Sequence, residues 1–179
     1  ARLRGFDTGT TAGHTVWRVD REGVRDRQGT PLWLAHRDKG VLTELRPPGG
    51  TAHYRLGREE SGSVLPHARL SGNGAAVTVH VAHADGRPLG QVRSSTGTTL
   101  TIAVRGPDGG ERARAVHSGG LGSAWDVTAA DGTRLAHAVI GLGGRLVRFE
   151  DDAPEDARIL IAVFLIEADR LMTAGAMSS

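Results

Sequence analysis

The sequence predicts a mostly β domain, a closed barrel of successive hairpins with a buried apolar C-terminal helix. Three observations support this prediction. Asp-Gly pairs recur at a fixed spacing, alternating apolar residues flank them, and an apolar run near the C-terminus is framed by helix signals. A β-sandwich with a packed C-terminal helix is the alternative, because a meander of short hairpins can form either architecture.

The hairpin signal is a repeat of 23 residues, marked by the pairs Asp85-Gly86, Asp108-Gly109 and Asp131-Gly132. Asp-Gly between extended segments favours a tight turn. We expect a type I′ turn, because this turn needs positive φ at both central residues and therefore prefers pairs such as Asp-Gly. A propeller blade takes about 40–45 residues. A period of 23 residues therefore corresponds to one hairpin, and three such hairpins are predicted.

Apolar residues stand at fixed offsets from each of these turns. A valine precedes each Asp by four residues, and a leucine follows the first and third Asp by four. The valines are Val81, Val104 and Val127, and the leucines are Leu89 and Leu135. Arg112 replaces the leucine in the second repeat. A weaker copy near the N-terminus has Val24, Gly29 and Leu32 at the same offsets, so we expect a fourth hairpin there.

Strand assignments follow from apolar alternation with a period of two, as in Val77, Val79 and Val81. We also expect the valines of the repeat to face one interior. The other predicted strands include residues 17–19, 32–34, 41–45, 54–56, 100–104, 125–127 and 145–149. The glycine- and proline-rich stretches 47–50 and 61–63 are predicted to be loops within one domain. The predicted domain spans residues 14–175, between a lead-in (1–13) and a tail (176–179).

The C-terminal segment is predicted to be a helix over about residues 154–172. Pro154 suits the first helical position, Glu155 and Asp156 complement the helix dipole, and Gly175 is the expected stop. Between these signals, residues 159–166 are all apolar. Because such a run covers the whole circumference of a helix, we expect it to be buried on every side. A helix of that length, about 28 Å, matches the axis of a closed barrel.

Composition excludes several kinds of function. Cysteine is absent, which excludes disulfides, thiolate metal sites and palmitoylation. The longest apolar run has eight residues, whereas a spanning helix needs about 20. The N-terminus lacks the apolar segment of a signal peptide, and no run of like charges marks a nucleic-acid-binding tail. We therefore expect a cytoplasmic protein with no nucleic-acid partner, peripheral if it meets a membrane.

The order of these elements resembles the tubby C-terminal-like superfamily, and within it the phospholipid scramblase and LURP-one-related branch. The residues that carry the resemblance are Val-x-x-x-Asp-Gly-x-x-Leu hairpins, the acidic stretch 151–156 and the apolar terminal helix. The resemblance implies a barrel of about twelve strands threaded by the helix. It also implies an association with membrane phospholipids. Tubby's phosphoinositide-binding residues cannot be aligned onto this chain, so none is carried over.

Arginines close to the predicted turns are the candidate lipid-binding residues. They are Arg93, Arg112, Arg114, Arg145 and Arg148, which could meet anionic headgroups if they converge. His80 and His83 lie three apart on a strand and so point to opposite faces, and no metal site or cofactor is predicted. No catalytic motif is present. We expect a non-enzymatic module that docks on anionic lipid or a membrane-associated partner, and the alternative is a protein-interaction domain without a lipid role.

Overall fold

The protein is a closed barrel of twelve antiparallel strands with one helix. The computed structural model describes residues 14–51, 53–61, 76–96, 100–118, 124–141, 144–151 and 153–176. Each strand pairs with the next one along the chain, and β1 pairs with β12 to close the sheet. The predicted barrel is therefore confirmed, and the alternative sandwich is wrong. The strands are β1 (His14–Asp20), β2 (Gly23–Arg25), β3 (Pro31–Asp38), β4 (Val41–Arg46), β5 (Tyr54–Ser61), β6 (Ala76–His83), β7 (Pro88–Thr96), β8 (Leu100–Arg105), β9 (Glu111–Ser118), β10 (Ala124–Ala129), β11 (Arg134–Gly141) and β12 (Gly144–Glu150).

The Asp-Gly pairs lie in hairpin turns as predicted, but the predicted turn type is wrong. Only the glycines have positive φ, 92° for Gly86, 81° for Gly109 and 91° for Gly132. In each turn the glycine N–H donates to the carbonyl three residues earlier, at 2.9–3.0 Å. This is a type I turn closed by a glycine, a common hairpin connection. Among the described residues, the two consecutive positive φ angles of a type I′ turn occur at Lys39-Gly40, between β3 and β4.

Each Asp of the repeat has a structural role inside its own turn. Its Oδ1 accepts a hydrogen bond from the backbone N–H two residues later. The donors are Arg87 at 3.0 Å, Gly110 at 2.9 Å and Thr133 at 2.9 Å. An Asp side chain that bonds backbone in this way stabilises the turn conformation. The Asp residues therefore act on local structure, and the repeat needs no ligand to explain them.

A β-bulge explains why a residue at a fixed offset follows each turn. In the first repeat Val81 pairs with Gly90 and Ala82 pairs with Pro88, so Leu89 is the extra residue. The same slip follows each of the other repeat valines. The extra residues are Leu32, Arg112 and Leu135. A bulge of this kind bends the strand and re-aims a side chain. The weaker N-terminal copy of the repeat therefore has the geometry of the other three.

The repeat valines face one interior, as predicted. Val81, Val104 and Val127 are each at most 1% exposed. Every strand except β3 contributes buried side chains to a single apolar cluster that also includes the helix, and partly buried residues of β3 pack against this cluster. Strand alternation places one side of each strand in this cluster and the other on the outer wall.

The C-terminal helix is α1 (Glu155–Ala176), and its apolar stretch lies inside the barrel. Residues 159–166 are 0–6% exposed, which confirms the predicted burial on every side. Contacts with two parts of the wall fix its position: Leu160 lies against Gly90 on β7, and Phe164 packs edge-to-face on Trp125 of β10. The helix continues through Gly175, so the predicted stop at that residue is wrong. Among the described residues we find no helical stretch whose length and hydropathy would allow it to span a bilayer.

Candidate functional site

An apolar cavity of about 420 Å³ lies at the end of the barrel that carries the Asp-Gly turns, here called the turn end. The first turns of α1 form one side of the cavity, and strands β7 to β11 with the β8–β9 turn form the other. Its lining residues are Leu89, Val104, Gly106, Pro107, Arg112, Ala129, Leu135, Pro154, Asp156, Ala157 and Leu160. This volume lies within the range of small-molecule sites, about 300–1,000 Å³.

The repeat itself builds this cavity. Leu89 and Leu135, two of the extra residues of the bulges, are 2% and 9% exposed and form part of the apolar wall. Arg112 is the equivalent residue of the second repeat, and its side chain is 59% exposed. The lining therefore carries a charged, exposed side chain at the position where the other repeats have leucine.

Arg112 and Asp156 are the two charged residues among the described lining of the turn-end cavity. Arg112 donates through Nη2 to Oδ2 of Asp108 at 3.2 Å. Asp156 lies in the first turn of α1 beside Glu155, where the helix dipole favours negative charge. Burial raises the pKa of the Tyr54 hydroxyl, and the Glu155 and Asp156 carboxylates raise it further. The exposed part of the lining thus combines the Arg112 guanidinium with the acidic start of α1.

Two of the five predicted arginines, Arg93 and Arg114, lie close together on the outer wall. Both pair with Ala103, from β7 and β9 respectively, so they flank this residue. With neighbouring strands about 4.8 Å apart, their Cα atoms are about 10 Å apart. Arg114 is bound through Nε and Nη2 to both carboxylate oxygens of Glu111, at 2.8 and 3.1 Å. That carboxylate offsets the positive charge of this part of the wall.

The other predicted arginines lie elsewhere in the barrel. Arg145 and Arg148 are three residues apart on β12, so they point to opposite faces. Arg145 is on the inner face, with Nη1 at 3.5 Å from the Leu165 carbonyl oxygen. Arg148 is on the outer face, with Nη2 at 4.0 Å from Glu150. With Arg112 at the turn end, the five arginines do not form one surface.

A buried ion pair, away from the turn end, joins the helix to the wall. Arg58 on β5 bonds Glu167 on α1, and the two side chains are 11% and 4% exposed. Nε and Nη1 of Arg58 are buried without a hydrogen-bond partner. Removing one member of a buried pair leaves an uncompensated charge, which costs about 3–5 kcal/mol. We therefore regard this pair as an attachment of the helix.

The two histidines of β6, His80 and His83, have separate surroundings. His80 is exposed and lies 3.2 Å from Glu59, whereas His83 contacts Tyr54 with ring centroids 5.6 Å apart. The two rings are on opposite faces of β6, as predicted. In the part of the chain that the structure describes, no three His, Asp or Glu side chains come together to bind a metal ion.

The arrangement at the turn end is suited to binding. Its described lining offers apolar surface and two charged side chains, and it includes no hydroxyl or imidazole that could act as a nucleophile or base. The sequence predicted Arg112 as a binding residue and gave Asp156 only a role at the start of the helix, and it indicated neither Gly106 nor the cavity. The departure of Arg112 from the leucine of the repeat was the available signal.

Comparisons with protein-family models, with curated proteins and with solved structures found no match to this chain.

Proposed function

We propose that this chain is a non-enzymatic binding module that takes the hydrocarbon part of a lipid or lipid-like amphiphile into the turn-end cavity. The size and apolar lining of the cavity carry this proposal. An enclosed apolar cavity of about 150 Å³ holds a benzene molecule, so the half-open turn-end cavity of about 420 Å³ has room for a hydrocarbon chain. Burying apolar ligand surface is favourable by roughly 25 cal/mol per Å².

The resemblance to tubby and scramblase-like domains supports an anionic membrane phospholipid as the ligand class. A barrel of twelve strands around a helix is what that resemblance implies. We place the module in the cytoplasm, where it would meet membranes as a peripheral protein. Arg93 and Arg114 would then be secondary contacts, because basic residues near an anionic surface contribute about 1 kcal/mol each.

A protein partner is the competing function, and an exposed apolar patch would favour it. Among the side chains that the structure describes, Leu34 is the exposed large hydrophobic residue, at 41%. A single residue does not form a patch. The structure therefore favours a ligand in the cavity over an apolar protein interface.

The test is titration calorimetry with decanoate, below its micelle concentration, on the wild-type chain and on cavity-filling variants. Ala157 lines the cavity from the helix. Ala157→Leu should therefore weaken decanoate binding, and Ala157→Phe should weaken it further. Ala130→Phe is the matched control, since Ala130 is exposed at the same end and is not among the lining residues. Unchanged thermal unfolding of at least one filling variant ensures that lost binding is not lost folding.

Three outcomes separate the functions. Saturable one-site binding that the filling variants reduce and Ala130→Phe leaves intact supports the cavity. The proposal is wrong if the wild-type chain binds neither decanoate nor decanol, and a protein partner then becomes the leading function. Liposome sedimentation at about 0.01 M and 0.15 M salt measures binding of the chain to membranes. Binding that rises with anionic lipid, falls with salt and survives Ala157→Phe would assign the contact to surface arginines.

A further inference from the structure

The second hairpin repeat departs from the others at two positions that meet in space. The extra residue of the bulge is leucine in three repeats and Arg112 in this one. The residue that opens the type I turn is Asp26, His83 or Ala129 in the other repeats, and here it is Gly106. A Cβ on Gly106 would lie only 2.5 Å from Nε of Arg112 and 3.1 Å from Nη2. Glycine at 106 thus makes room for the guanidinium against the turn.

The Arg112 side chain lines the cavity and is also paired with Asp108. Asp108 accepts from Nη2, and the other oxygen of that carboxylate is held by the Gly110 N–H. Asp108 therefore orients Arg112 while occupying one of its five N–H donors. This ion pair is exposed, at 59% and 64%, and exposed pairs contribute little to stability. An incoming anion can therefore share or replace Asp108 at small cost.

On the basis of the proposed function, we propose that Arg112 selects an anionic head group. The turn-end cavity takes one hydrocarbon chain of an anionic amphiphile, whose carboxylate or phosphate binds the guanidinium while that chain contacts Leu89, Leu135 and Leu160. Arg suits both head groups because its planar donors bind two oxygens at once. Asp156 opposes this ligand, since its carboxylate lines the same cavity. Charge removal at the two positions should therefore have opposite effects.

The experiment measures binding of four probes that share a ten-carbon chain: decanoate, decyl phosphate, decanol and decyltrimethylammonium. In the wild-type chain, decanoate and decyl phosphate should each bind about tenfold more tightly than decanol, which corresponds to about 1.4 kcal/mol. Arg112→Leu, which restores the residue of the other repeats, should narrow that ratio to about twofold. Arg87→Leu is the matched control, because Arg87 is an exposed arginine that also pairs with the Asp of its own turn and is not among the lining residues.

Asp156→Asn gives the second readout and should strengthen decanoate binding about threefold, as expected for removal of a like charge near the surface. The inference is overturned if decanol binds as tightly as decanoate, or if Asp156→Asn weakens the anionic probes. Weaker binding of the anionic probes to Asp156→Asn would indicate a head group that contacts both the Arg112 guanidinium and the Asp156 carboxylate. Failure of all four probes would instead refute the proposed function. A preference for decyl phosphate over decanoate would identify a phosphate head group, and equal binding would identify any anionic one.

Discussion

Replacing Phe164 with alanine tests whether the helix lies inside the barrel. The Phe164 side chain is fully buried, and its ring meets Trp125 edge-to-face with centroids 5.2 Å apart and planes at 80°. Truncating a large core aromatic residue costs about 3–5 kcal/mol. The aromatic pair contributes about 0.5–1.5 kcal/mol beyond its buried area, so we expect a loss of about 4–5 kcal/mol. For a chain of this size that lowers Tm by about 8–20 °C.

Urea unfolding followed by far-ultraviolet circular dichroism measures this change, with thermal unfolding as the second observable. Leu34→Ala is the control, because Leu34 is 41% exposed and its truncation should cost less than about 1 kcal/mol. A double-mutant cycle with Trp125→Leu should give a coupling energy of about 1 kcal/mol between the two rings. A loss below about 1 kcal/mol for Phe164→Ala would refute the placement of this helix face against β10.

Two further predictions concern a close approach and the hairpin turns. Gly90→Ala should destabilise by at least about 3 kcal/mol, because its Cβ would lie 2.3 Å from the Arg105 carbonyl oxygen and 2.7 Å from Leu160. Gly86→Ala should cost about 1–2 kcal/mol, since its φ is 92° but nothing lies within 4 Å. Equal losses for the two in urea unfolding would contradict the predicted clash. The backbone N–H of Arg87 lowers the pKa of Asp85, and that of Thr133 lowers the pKa of Asp131. A carboxyl whose folded pKa is depressed contributes stability that is fully present above its ordinary pKa, near 3.8. That stability is lost as pH falls through the folded value. Between pH 2 and 6, the unfolding midpoint of the Asp85→Asn, Asp131→Asn double variant should therefore fall less on acidification than that of the wild type. Identical acid profiles would show that the protonation of these two carboxyls is not linked to folding.

Much of the fold was predictable because its signals are local. Asp-Gly spacing, the alternation of Val77, Val79 and Val81, and a continuous apolar run each report on a few neighbouring residues. The turn type was not predictable from the dipeptide, because Asp-Gly is compatible with several turns and the bulge decides which one fits. The helix boundary was placed too early for a similar reason. A glycine such as Gly175 weakens a helix by only about 1 kcal/mol, so it does not have to end one.

The candidate site depends on tertiary structure. By itself the sequence determined a repeated hairpin, a helix with no polar face, and a repeat in which Arg112 replaces leucine. Only the closed barrel decided that Leu89, Leu135 and the start of α1 enclose one cavity, because these residues lie far apart along the chain and meet through strand pairing. The closed barrel also places the five predicted arginines on different surfaces, although their proximity to turns had suggested one group. Strand direction and register place Arg145 inside the barrel and Arg148 outside, since side chains alternate across a sheet whose curvature gives it an interior.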